Sequence, residues 1–79
     1  MGYARPRPQR LAAKLFLIRR KLGLSQPQLA KRLGVRTYND ISKYEHDKNE
    51  PSLMTLLSYA RVAGVRVEDI IDDDLNLEF

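Results

Sequence analysis

The stretch Ser25-Gln-Pro-Gln-Leu-Ala-Lys-Arg-Leu-Gly-Val-Arg-Thr-Tyr-Asn-Asp-Ile-Ser-Lys-Tyr-Glu45 holds two short helical patterns separated by Gly34-Val-Arg36. Ser25 followed three positions later by Gln28 is a capping-box signature, and Pro27 is tolerated in a first helical turn. Leu29, Ala30 and Leu33 share one face, and Gly34 supplies the left-handed residue that ends such a helix. Thr37 is the next predicted N-cap, and Asp40 sets a carboxylate where the free N–H groups of the following helix favour negative charge. That second helix is predicted over about 37–46. The layout holds it rigidly against its predecessor and leaves its outer face free, the geometry with which a helix enters a DNA major groove.

Working outward, a first helix is predicted from just after Pro8 to Gly23, because Leu11, Leu15, Ile18 and Leu22 recur at spacings of four, three and four. After the polar stretch Asp47 to Glu50, Pro51-Ser52 opens a fourth helix with a core stripe of Leu53, Leu56, Leu57 and Ala60, ending at Gly64. Val67, Ile70 and Ile71 suggest a short fifth helix. From Asp72 the spacing changes, and Leu75-Asn-Leu-Glu-Phe79 alternates apolar and polar residues with the period of a strand. The segment before Pro8 is rich in Arg and Pro without periodicity and reads as an extended or flexible arm. The expected organisation is a basic arm over 1–8, a domain over 9–72 and an acidic, apolar tail over 73–79, with no internal repeat.

A chain of 79 residues without cysteine has neither disulfide nor thiolate metal site, so its small core carries stability alone. No apolar run is long enough to span a bilayer, and none follows the N-terminal arginines in the manner of a signal peptide. A cytoplasmic protein is expected. The net charge of +4 conceals an asymmetry: up to Arg66 fourteen Lys and Arg face only Asp40, Glu45, Asp47 and Glu50, whereas Glu68 to Phe79 carries six carboxylates and no base. A basic body suits a polyanion, because neutralised phosphates release counterions, although ordinary solubility charge gives the same composition.

Helical geometry selects the outward residues. At about 100° per residue, burial of Ile41 turns Tyr44 inward and points Asn39, Lys43 and His46 outward, with Tyr38 nearer the flank in the first turn. An Asn amide pairs bidentately with adenine N6 and N7, and an ammonium donates to guanine O6 and N7. Asn39 and Lys43 are therefore candidate base contacts: simple solvation fits Asn39 equally well and is the default for an exposed Lys, so Lys43 gains weight only from sharing Asn39's face, and Tyr38 is either a third base contact or a ring that seals the turn. Asp40 fits a cap better than a cytosine reader. Gln26, Thr37, Ser42, His46 and Lys48 flank this helix and are candidate phosphate contacts. Lys31 and Arg32 read as solvated charges.

Leu22-Gly-Leu-Ser-Gln26, Gln28-Leu-Ala-Lys-Arg-Leu-Gly-Val35, Ile41-Ser-Lys-Tyr-Glu45, Pro51-Ser-Leu53 and Ala60 to Val65 together resemble the Cro and lambda-repressor type of helix-turn-helix, the Xre family, over about Arg10 to Ile71. The resemblance implies an all-α, five-helix DNA-binding domain acting as a transcriptional regulator, usually a homodimer on a two-fold operator. It implies that Gln26 contacts phosphate and braces the recognition helix, that Tyr38, Asn39 and Lys43 face bases, and that Arg19 pairs with Glu45. The chain departs from the family pattern at two points. Gly34 to Ile41 is one residue longer than the usual turn, and the added residue is expected before the Thr37 cap. Arg66 stands where relatives carry a Ser or Thr cap before helix five.

Partners and chemistry follow. Double-stranded DNA is the expected partner, with a homodimer and a further protein partner, such as a toxin, as additions; a protein-interaction module on the same fold is the competing class. Val67, Ile70, Leu75, Leu77 and Phe79 are candidate dimer contacts. The tail carboxylates alternatively compete for the basic DNA face. His46 has no nucleophile arranged with it, no phosphate-cradling glycine loop is present, and Asp72 to Asp74 fit a solvated acidic terminus better than a divalent-ion site. No enzyme activity, metal or cofactor is expected.

Overall fold

The first helix begins without a cap of its own. In the computed structural model, which describes residues 7–79, Arg10 occupies the N-cap position of α1 (Leu11–Leu22) and its side chain makes no capping bond. The missing acceptor comes from the far end of the chain: Asp73 takes the Gln9 N–H at 2.8 Å and the Arg10 N–H at 2.9 Å on its two carboxylate oxygens. Gly23, at φ 70°, closes the helix in the left-handed conformation.

The remaining helices are α2 (Gln26–Leu33), α3 (Tyr38–Glu45), α4 (Leu53–Ala63) and α5 (Val67–Ile71). Ser25 and Gln28 form the reciprocal capping box, and Ser52 caps α4 by accepting from Thr55 N–H. Thr37 stands at the N-cap of α3 with extended backbone, but its side chain makes no capping bond. Arg66 opens α5 differently from a Ser or Thr: the Asp69 carboxylate accepts the Arg66 backbone N–H at 3.4 Å, and a guanidinium has no acceptor with which to return the bond. No helix among the described residues is long and apolar enough to cross a membrane.

All five helices contribute to one core of Leu11, Leu15, Ile18, Leu29, Ala30, Ile41, Leu56, Tyr59, Ala60 and Ile70. Leu22, Leu33 and Tyr44 pack against it half-buried. The expected α4 stripe needs correction, because Leu53 is 71% exposed and Tyr59 is wholly buried in its stead. The buried arc of α4 centres between Leu56 and Ala63. Leu53 lies about 60° from Leu56 in the first turn, on the rim of an open groove it shares with Pro8, Glu50, Leu56 and Ile71.

The tail is also corrected. Among the described residues there is no strand, and 72–79 instead runs back along α1. A strand needs a partner edge, and this helical body offers none. The carbonyls of Asp69, Asp72 and Leu75 converge on Lys14 Nζ at 2.7, 2.8 and 2.8 Å, which uses all three ammonium donors of a lysine only 2% exposed. Burial, and then the neighbouring Arg10 charge, lower the Lys14 pKa. Arg10 adds bonds to the carbonyls of Asp73 and Leu75 and to Asn76 Oδ1. Leu77 packs on the core and the Phe79 ring lies 5.6 Å from Lys21 Nζ. The tail thus holds the start of α1 chiefly through its backbone carbonyls.

These contacts make Asp73 a pH-dependent clasp. The Arg10 and Gln9 N–H bonds hold its carboxylate below the ordinary value of 3.8. A carboxylate whose folded pKa is depressed contributes stability above its unfolded value and loses it as pH falls through the folded one. Asp73→Ala is expected to lower the melting temperature at neutral pH, with the difference from wild type closing as pH drops below 3.8. A gap that persists unchanged into acid would assign the effect to packing.

Candidate nucleic-acid interface

α3 is fixed from beneath by a carboxylate that three elements share. Glu45, with a side chain 3% exposed, receives Arg19 Nε at 2.7 Å and Arg19 Nη2 at 3.1 Å from α1, and Gln26 Nε2 at 3.2 Å from α2. Arg19 Nη1 also donates to the Leu24 carbonyl at 3.1 Å. The bond to Glu45 is the main cause of a raised Arg19 pKa. Below the pair, burial and then the Glu45 charge push the Tyr59 hydroxyl up, and among the described residues that hydroxyl has no hydrogen-bond partner. Ile41, wholly buried, pins the same helix from its other turn.

The turn into α3 preserves the register. Gly34 at φ 73° stops α2, Val35 N–H returns to the Ala30 carbonyl at 3.1 Å, and the helix begins at Tyr38. Residues 34–37 all precede the helix and Ile41 is its fourth residue, so the outward face is counted from Ile41 within one regular helix. Tyr38 is 51% exposed, and Asn39, Lys43 and His46 are exposed as well. Neither the Asn39 amide nor the Lys43 ammonium bonds to another described residue. A polar group held on a rigid helix with its donors unused is available to a ligand.

The far end of α3 brings in the following loop. Asp47 is left-handed at φ 58°, which turns the chain so that Lys48 N–H reaches the Lys43 carbonyl at 2.8 Å. Lys48 is thereby placed beside Lys43, and a shallow groove forms between Asn39, Ser42, Lys43, His46 and Lys48. Five of the eight nucleic-acid candidates meet there. Tyr38 and Thr37 lie at the opposite end of α3, and Gln26 stands on α2 with one amide N–H on Glu45 and the second unused. Arg7 joins this region: its Nη1 donates to the Asp47 carbonyl at 2.8 Å and pairs with its carboxylate at 3.1 Å. No local pattern signals a contact forty residues apart. The rest of the arm, 1–6, lies outside the described residues.

The dimer candidates fare differently. Ile70 is wholly buried in the core and so is not a surface contact. Val67 and Leu77 are half-buried against the same core, Leu75 is half-buried, and Phe79 is 54% exposed.

A helix-turn-helix family profile matches residues 15–70. The chain belongs to that family. Within it, the sequence is 43% identical over 58 residues to an uncharacterized HTH-type transcriptional regulator of Archaeoglobus fulgidus, covering 71% of this chain and 81% of that one. It is 36% identical over 64 residues to the antitoxin HigA1 of Mycobacterium tuberculosis, covering 81% of this chain and 42% of the antitoxin, so it spans less than half of that relative. The P22 c2 repressor, solved in complex with a synthetic operator, superposes with a TM-score of 0.74 at 25% identity over 81% of this chain and 96% of the repressor. Among the described residues, the five-helix, lambda-repressor-like architecture expected from the sequence is the observed one.

Proposed function

We propose that this helix-turn-helix protein is a transcriptional regulator, a repressor or autoregulator, that binds double-stranded DNA sequence-specifically with α3 in the major groove. The observation that carries this is the unpartnered amide and ammonium of Asn39 and Lys43, side by side on the outer face of a helix locked through Glu45. Asn39, Lys43 and Tyr38 contact bases; Gln26, Thr37, Ser42, His46 and Lys48 contact phosphate. The operator complex of the P22 c2 repressor and the regulator relative support the assignment. The protein acts in the cytoplasm as a homodimer on a two-fold site.

Selection of bound duplexes from a random pool tests binding, specificity and symmetry at once. A consensus with two half-sites about 34 Å apart is expected for the dimer. With about five phosphates neutralised per site, the logarithm of affinity should fall against the logarithm of salt with a slope near about −4.5. A flat slope, or no duplex recovered, would make the fold a protein-interaction module instead. The likeness to HigA1 favours one further reading, the DNA-binding part of an antitoxin that also holds a toxin.

A further inference from the structure

His46 is the one histidine of the chain, and its ring is anchored. Nδ1 lies 2.8 Å from the Ser42 carbonyl oxygen, which also accepts the His46 backbone N–H at 3.0 Å. The Ser42 hydroxyl is farther from the same nitrogen, at 3.4 Å. A carbonyl oxygen offers only lone pairs, so a ring nitrogen 2.8 Å away has to carry the proton. Nδ1–H is consumed inside α3, and Nε2 is the atom left for a ligand. In the neutral ring Nε2 is itself a lone pair, and phosphate oxygens are acceptors too.

We propose that His46 is a proton-dependent phosphate ligand: it contacts the DNA backbone only as imidazolium, so duplex binding takes up a proton at this residue. The assignment rests on the DNA-binding function proposed above. Lys43 of α3 and Lys48 of the following loop share its groove, and Asp47 beside it is paired with Arg7. Imidazole is the side-chain type whose ordinary titration falls between about pH 5 and 8, the window in which Lys, Arg and carboxylate side chains ordinarily keep their charge. A proton-linked change in affinity there that His46→Gln removes is therefore traceable to one residue.

The test measures affinity for a mixed-sequence duplex of about 24 base pairs at about pH 5.5 and 7.5 across a salt series, with far-UV circular dichroism at both. Wild type is expected to bind about tenfold more tightly at the lower pH, the size of one charge-assisted hydrogen bond, with a salt slope steeper by about 0.9. His46→Gln is expected to show neither change, and the single imidazole resonance should titrate at higher pH in the complex than in the free protein. Equal wild-type affinity at both pH values, or a pH effect that survives in His46→Gln, overturns the proposal. If His46→Gln fails to fold, the resonance and the wild-type slopes decide. No duplex binding at either pH overturns the DNA-binding function as well, which separates that failure from failure of the proton linkage alone.

Discussion

Glu45→Ala should destabilise the domain by about 3–5 kcal/mol, the usual cost of stranding one partner of a buried ion pair. Arg19 would keep its charge, 15% exposed, against a cavity where two carboxylate oxygens had been. Gln26 would lose its acceptor as well. Small domains are stable by about 5–15 kcal/mol in all, so this single change removes a large share of the total. Urea unfolding provides the measurement, with the slope against denaturant expected to stay the same and the midpoint to drop. The double variant Arg19→Met, Glu45→Met should recover much of the loss, because apolar replacement of a buried pair leaves no stranded charge. If Glu45→Ala unfolds within about 1 kcal/mol of wild type, the pair is solvated and α3 is held by the packing of Ile41 and Tyr44.

That brace was accessible from the sequence only through likeness to relatives, whereas much else followed from local chemistry. Ser25 with Gln28, Ser52 before α4, and Gly23, Gly34 and Gly64 mark helix ends because each satisfies orphan N–H or C=O groups within a few residues. The inward face of α3 followed from burying Ile41, since the helical period fixes every other residue of a rigid cylinder.

Long-range matters were not legible. Lys14 sits within an apolar run, and nothing near it announces that three carbonyls from α5 and beyond will enclose its ammonium. The alternation of Leu75, Leu77 and Phe79 has strand periodicity, but periodicity states only which residues share a side. Whether a ladder forms depends on an available edge, and here Arg10 and Lys14 take up the backbone acceptors instead. The exposure of Leu53 and the burial of Tyr59 have a related cause. Both residues are compatible with an α4 stripe, and which of them is covered depends on where α4 crosses its neighbours.

The double variant Asn39→Ala, Lys43→Ala should cut discrimination between a selected operator and a scrambled duplex by at least about thirtyfold while leaving the fold intact. Neither side chain bonds to another described residue, both are exposed, and alanine is the better helix former. Thermal stability should therefore stay within about 0.5 kcal/mol of wild type. Each side chain is expected to discriminate by about 1–3 kcal/mol, so together they supply about 2–6 kcal/mol, a factor of at least about thirty in the affinity ratio. The two losses should be unequal in kind. Removing Lys43 also lowers affinity for the scrambled duplex and flattens the salt slope, because its charge attracts any phosphate backbone. Removing Asn39 lowers affinity for the operator alone, since a neutral amide gains nothing from phosphates it does not reach. Competition binding with both duplexes at fixed salt resolves the two effects. A folded double variant that keeps its full operator preference would show that sequence is read by some face other than the outer side of α3.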